Sequence, residues 1–155
     1  MSQKPLIAIS GKPGAGKSTL ADELRERYDV PIDSFARPIR EGLRAMGVEV
    51  DGPNKDRRLM QIIGTDVFRE QVAQDWWIRQ LEKRRPDYRE TGLIIDDLRF
   101  TNEAEWCERN GFLLVYIDGS FRPVEGEEAT HRAENDLLDW TFWHVVIPAY
   151  VTDIK

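Results

Sequence analysis

The stretch GKPGAGKST, residues 11–19, follows directly on the apolar run LIAIS and sets four residues between Gly11 and Gly16, just ahead of Lys17 and Ser18. Each part of this pattern has a mechanical use. Glycines adopt backbone angles that other residues avoid, so successive N–H groups turn inward around phosphate oxygens. Gly11, Gly14, Ala15, Gly16, Lys17, Ser18 and Thr19 are therefore expected to cradle a nucleoside triphosphate. A helix starting near Lys17 adds the positive end of its dipole to the same anion site. Lys17 is placed to reach the β- and γ-phosphates, and the Ser18 hydroxyl to ligate Mg2+.

The second group with chemical potential is LIIDD, residues 93–97. An apolar strand that closes in aspartate is how such a phosphate site holds its magnesium, directly or through water. Side chains alternate along a strand, so Asp96 and Asp97 should face opposite ways. Asp97 is assigned to the metal beside Ser18, with Asp96 as the alternative. A third carboxylate, Asp33, closes the short run VPID. Its use depends on the acceptor. A phosphate acceptor is already an anionic nucleophile and needs positioning and charge neutralisation, whereas a hydroxyl acceptor gains from an aspartate that takes its proton. Asp33 could equally cap the following helix or hold a sugar hydroxyl.

The elements that must position these groups follow from periodicity. Residues 18–28 carry Leu20, Leu24 and Tyr28 at helical spacing. Residues 30–33 read as a second strand, and Arg37-Pro38 as the first turn of a helix with Ile39, Leu43 and Met46 on one face and Arg37, Arg40 and Arg44 on another. Residues 55–63 form a further helix, interrupted by Gly64, with Thr65 capping the next segment. A bend at Asp75-Trp76-Trp77 precedes a helix ending at Lys83-Arg84-Arg85. Strands are expected at 92–97, 112–117 and 142–147. Thr101 is expected to cap a helix that Gly111 ends, and residues 133–138 to form a short helix. Strands alternating with helices imply an α/β fold: a three-layer sandwich of about five mostly parallel strands with helices on both faces. The carboxyl edge of such a sheet gathers residues 10–19, 33–37 and 96–100 together with the loop after Ile117.

The chain of 155 residues suits one domain, 1–155, and its 32% charged and 41% hydrophobic composition is that of an ordinary soluble protein. No apolar run approaches membrane-spanning length, and the N-terminal stretch is too short for a signal peptide. A single cysteine, Cys107, leaves no internal disulfide. A cytoplasmic enzyme is expected, in a host cell's cytoplasm if phage-encoded. The net charge of −6 speaks against broad attachment to nucleic acid, though not against a local basic groove formed by Arg57-Arg58 and residues 83–85.

Four further motifs occur in order. Residues 96–105, DDLRFTNEAE, resemble the DDxRFxNEAE signature of phage-type deoxynucleoside monophosphate kinases. FARPIR at 35–40 is similar to that family's FADPLK segment, LMQIIGTD at 59–66 with Arg69 to its LLQxxGTDxxR stretch, and HRAE at 131–134 to its HxSE motif. With the phosphate loop, the resemblance covers most of the chain from Ile7 to Glu134.

The resemblance implies a P-loop kinase that uses ATP over residues 11–19, with an acceptor-binding helical part at about 35–85 and a lid-like loop at about 119–132. It implies that Arg58, Gln61, Thr65 and Arg69 contact the acceptor, to which Asp33, Phe35 and Arg37 are also assigned, and that Arg99 and Arg132 neutralise charge on the transferring phosphoryl group, with Lys17 on the donor phosphates and Asp97 acting through the metal. A small-molecule nucleotide is the expected partner, and a homodimer is possible for such an enzyme. Arg37 stands where the family has Asp, and Ala133 where it has Ser. Some related phage kinases phosphorylate the hydroxymethyl group of a modified uracil in DNA, and Asp33 as a base would suit that acceptor. A non-catalytic nucleotide-binding switch, or an NTPase driving a partner, would keep the phosphate loop without needing the arginines.

Overall fold

A computed structural model describes residues 3–12, 14–118, 136–137 and 139–148. Five strands form one parallel sheet: β1 Leu6–Gly11, β2 Ile32–Asp33, β3 Leu93–Ile95, β4 Leu113–Ile117 and β5 Val145–Ile147, in the order β2-β3-β1-β4-β5. The apolar runs at residues 6–9 of β1 and 93–95 of β3 suit the centre of a sheet covered on both faces. Register follows the pleat, with Ile7 opposite Ile94 on one side and Leu113 on the other, and Ser10 opposite Tyr116.

Alternation divides the core in two. Ile7, Ile9, Ile94, Val115 and Ile117 pack with Leu20 and Ala21 of α1 (Lys17–Tyr28). Ala8, Leu93, Ile95 and Leu114 pack under α2 (Arg37–Ala45), α4 (Trp76–Arg84) and α6 (Thr101–Arg109). The expected layers are therefore present, with helices on both faces. Met46, expected on the inner face of α2, lies past the helix end and is 71% exposed.

The larger departure is at Gly64. Helix α3 (Arg57–Gln61) does not stop there but runs on as a wide π-type segment, Ile62–Val72, so Thr65 lies buried inside it and is no cap. Ala73 N–H bonds the Phe68 carbonyl five residues back, at 2.9 Å. Glycine is needed here for space: a Cβ on Gly64 would lie 2.6 Å from Ile39 Cδ1. The Gly64 carbonyl accepts the Trp77 indole N–H at 2.8 Å, which ties the segment to α4. A short helix, α5 (Tyr88–Thr91), leads into β3.

The strand expected at 142–147 is shorter than that range, and residues 142–143 have no regular structure. Of the helix expected at 133–138, only residues 136 and 137 are described, as a turn. The lid-like loop at 119–132, with His131 and Arg132, lies outside the described residues. Among the described residues no helix is long and apolar enough to cross a membrane.

Candidate active site

The phosphate loop leaves β1 at Gly11, where a Cβ would meet the Ile117 carbonyl at 2.8 Å, so only glycine lets the loop pass the end of β4. Gly16, at φ 104°, turns the chain into α1, whose first residues are Lys17, Ser18 and Thr19. Ala15 is fully buried beneath the loop. The Lys17 ammonium donates to the Gly11 carbonyl at 2.7 Å and to the Lys12 carbonyl at 3.3 Å, spanning the mouth of the cradle.

Beyond β3 the two aspartates diverge, as alternation requires. Asp97 is buried and accepts the backbone N–H groups of Phe35 at 2.9 Å and Ala36 at 3.0 Å. Its carboxylate thus fixes the entry to α2, and the group assigned to the metal from sequence is committed to backbone. Asp96 instead lines a polar cavity of about 330 Å³ together with Ser18, Ser34, Arg37 and Arg40. Asp96 accepts the Ser34 hydroxyl at 2.6 Å, and that hydroxyl in turn accepts from Arg40 at 3.0 Å. Burial, reinforced by the neighbouring Asp97 charge, pushes the Asp96 carboxyl up to about 6 against the pull of the Ser34 hydrogen bond and Arg40. Two oxygen ligands of the type magnesium prefers, Ser18 and Asp96, therefore face one cavity.

Asp33 lines the same cavity but is no free base. Its side chain is 0% exposed and takes Arg85 at 2.8 Å, Arg84 at 3.1 Å, Arg37 at 3.4 Å and the Ser34 N–H at 2.7 Å. Burial alone would raise its pKa, but the hydrogen bonds from Arg84, Ser34 and Arg85 outweigh burial and hold it below the usual carboxylate value. A carboxylate stabilised this way is a poor proton acceptor, which removes the base that a hydroxyl acceptor would use.

The acceptor-binding expectations divide. Arg37 lines the cavity. Phe35 is a core residue, edge-on to Trp106 at 6.3 Å. Arg58 is exposed on α3, while Gln61 and Thr65 are buried, and none of the three lines either of the two cavities described. Arg69 is 1% exposed: it meets Glu103 at 2.7 Å, Asn102 Oδ1 at 2.9 Å and the Gln74 carbonyl at 2.8 Å, with its guanidinium 3.7 Å above the Phe100 ring. A guanidinium so enclosed ties the π-type segment to α6 and is not presented to a ligand. Burial pushes Glu103 upward, opposed by Arg69, and the same carboxylate accepts the N–H groups of Arg99 and Phe100.

Arg99 lines a second cavity, of about 300 Å³, with Ser10, Gly11 and Lys12 on one side and Tyr116, Leu137, Trp140, Trp143 and Val146 on the other. Arg132 lies outside the described residues.

Some functional groups were missed in the sequence. Lys55, which the sequence did not single out, has its pKa lowered by burial first and then by the charges of Arg57, Arg99 and Arg40, with Asp51 opposing. Arg84 and Arg85 read as a surface charge run, yet reach Asp33 across 51 and 52 residues. The aromatic wall at 140–143 carried no spacing that would mark it as a site.

Comparison with known proteins bears on this geometry. The family described as deoxynucleotide monophosphate kinase matches residues 51–139, which include Lys55, Asp96 and Arg99. An Acanthamoeba polyphaga mimivirus protein named "Putative deoxynucleotide monophosphate kinase" is 25% identical over 173 residues, spanning 92% of this chain and 86% of its own. An "Adenylate kinase isoenzyme 6 homolog" of Plasmodium falciparum is 23% identical, covering 92% of this chain and 76% of its own. A "Cytidylate kinase" of Pyrobaculum aerophilum is 26% identical, covering 72% and 74%. With the family match extending over more than half of its length, the chain belongs to the deoxynucleotide monophosphate kinase family.

Proposed function

We propose that this kinase transfers the γ-phosphoryl group of ATP to the 5′-phosphate of a deoxynucleoside monophosphate. The observation that carries the reading is that Arg37 lines the polar cavity at the start of the phosphate-loop helix. Arg40 also lines the cavity that holds Ser18 and Asp96. Guanidiniums lining a cavity beside a phosphate loop suit an anionic ligand, and an acceptor phosphate is such an anion.

On this reading the loop amides and Lys17 hold the ATP phosphates, and an oxygen of the acceptor phosphate attacks the γ-phosphorus. The new P–O bond forms as the bond to the β–γ bridging oxygen breaks, and ADP leaves. No proton need be removed from the acceptor, which agrees with an Asp33 already neutralised by arginines. Ser18 and Asp96 would hold Mg2+, which when bound neutralises charge on the β- and γ-oxygens. Asp96 replaces Asp97 in this role because Asp97 is occupied by two amides. Arg99 and Arg40 spread the charge of the transferring group, and Asp33 positions Arg37, Arg84 and Arg85.

Acceptor-dependent ADP release tests the reading. ADP should form from ATP much faster when one of the four deoxynucleoside monophosphates is added. A rate unchanged by all four would instead favour a nucleotide-binding switch or an NTPase.

A further inference from the structure

We infer that Ser34 is a positioning residue that makes magnesium binding and acceptor binding cooperative, because its one hydroxyl joins Asp96, on the metal side of the cavity, to Arg40, on the acceptor side. The inference rests on the monophosphate-kinase reading and adds to it how the two halves of that site act on each other.

Ser34 follows directly on β2, is 4% exposed and lines the cavity with Ser18, Arg37, Arg40 and Asp96. Its main chain is held from both sides. The N–H donates to Asp33 at 2.7 Å, and the carbonyl accepts from Arg84 at 2.8 Å. The next two amides are tied to Asp97. On so fixed a backbone, a serine side chain can carry its oxygen to only three staggered positions. Here the oxygen lies 2.6 Å from Asp96 Oδ1 and 3.0 Å from Arg40 Nη2.

Chemistry fixes the direction of both bonds. A guanidinium donates and cannot accept, so the Ser34 oxygen accepts from Arg40. The hydroxyl's single proton then goes to Asp96. The three groups form a chain in which each hydrogen bond polarises the next. An uncompensated charge on Asp96 draws the Ser34 proton and, through the oxygen, holds Arg40 toward the metal side. With magnesium on Asp96 that charge is shared, the pull along the chain slackens, and Arg40 is released to the acceptor phosphate. By linkage, a phosphate that takes Arg40 tightens magnesium binding by the same factor. Arg37, which shares the cavity, is tied to Asp33 and Glu41 instead, so the coupling runs through Arg40.

The test reads binding, not turnover. ADP saturates the donor site, which leaves no γ-phosphoryl group to transfer. The dissociation constant of the monophosphate that wild type phosphorylates fastest is then measured by calorimetry with and without magnesium. Wild type should bind it about tenfold more tightly with magnesium, within the range usual for coupled sites. In Ser34→Ala, and in Arg40→Met, that ratio should fall below about threefold, and the double variant should show no further fall. A purely structural loss would weaken binding in both conditions and leave the ratio standing. A wild-type ratio near one, or a ratio of about threefold or more kept in either variant, would overturn the inference, while acceptor-dependent ADP release would keep the kinase reading. If Ser34→Ala shows no cooperative melt, the Arg40→Met ratio decides alone. A wild-type enzyme that phosphorylates none of the four monophosphates would bring down the kinase reading and this inference together.

Discussion

Glu103 and Arg69 form an ion pair at 2.7 Å with side chains only 3% and 1% exposed, linking the α6 N-terminus to the end of the π-type segment. Both belong to motifs recognised in the sequence, and here those motifs bind each other. A buried pair of this kind is strongly destabilising to break from one side, because the remaining charge loses its partner. Arg69→Ala should lower unfolding free energy by about 3–5 kcal/mol. Chemical denaturation measures this, and a loss of activity with unchanged stability would return Arg69 to the acceptor site.

The two aspartates of the LIIDD run should behave differently. Asp96→Asn should abolish most magnesium-dependent turnover at unchanged stability near neutral pH or with a gain, since Asp96 lines the cavity with Ser18. Asp97→Asn should cost about 1–3 kcal/mol of stability by weakening the hydrogen bonds to Phe35 and Ala36. Magnesium titrations of activity alongside thermal melts separate the two outcomes. The reverse pattern would restore Asp97 as the metal-side carboxylate.

Asp96 also sets a pH dependence. Its folded-state pKa, raised to about 6 by burial and by Asp97, lies above the ordinary value of 3.8. The metal-free protein therefore gains from Asp96 below the ordinary value, and that gain is lost as pH rises through about 6. Asp96→Asn should consequently be more stable than wild type at about pH 8 without magnesium, on the order of 2 kcal/mol. Magnesium needs the carboxylate, so wild-type affinity should climb across the same interval. Calorimetric titration checks this, and a flat affinity profile between about pH 5 and pH 8 would contradict the role given to Asp96.

The layers of the fold and the phosphate loop were legible because their signals are local. Continuous apolar runs define β1, β3 and β4, and the glycine spacing at 11–16 fits one loop geometry. The arrangement after β3 was half legible: alternation gave opposite faces to Asp96 and Asp97, but not which face held Ser18. Gly64 misled because glycine usually interrupts a helix, whereas here its missing Cβ admits Ile39. The Arg84–Asp33 contact and the Tyr116–Trp143 wall join residues far apart in sequence, so only the folded chain brings them together.

Asp33 is expected to act through its arginines. Asp33→Asn should loosen Arg84 and Arg85 and raise the acceptor KM, with kcat falling less than about tenfold. Steady-state kinetics at several acceptor concentrations separate the two constants. A fall in kcat of about a hundredfold or more at unchanged KM would point back to general-base catalysis.

The acceptor itself is the central claim, and one assay tests it most directly. ATP labelled in the γ-phosphate is incubated with the enzyme and either the four free deoxynucleoside monophosphates or duplex DNA carrying hydroxymethyluracil, with Lys17→Ala as the control. The account predicts label in a free deoxynucleoside diphosphate, none above background in DNA, and loss of transfer in the Lys17 variant. Label retained in the DNA, with the monophosphates unlabelled, would contradict it.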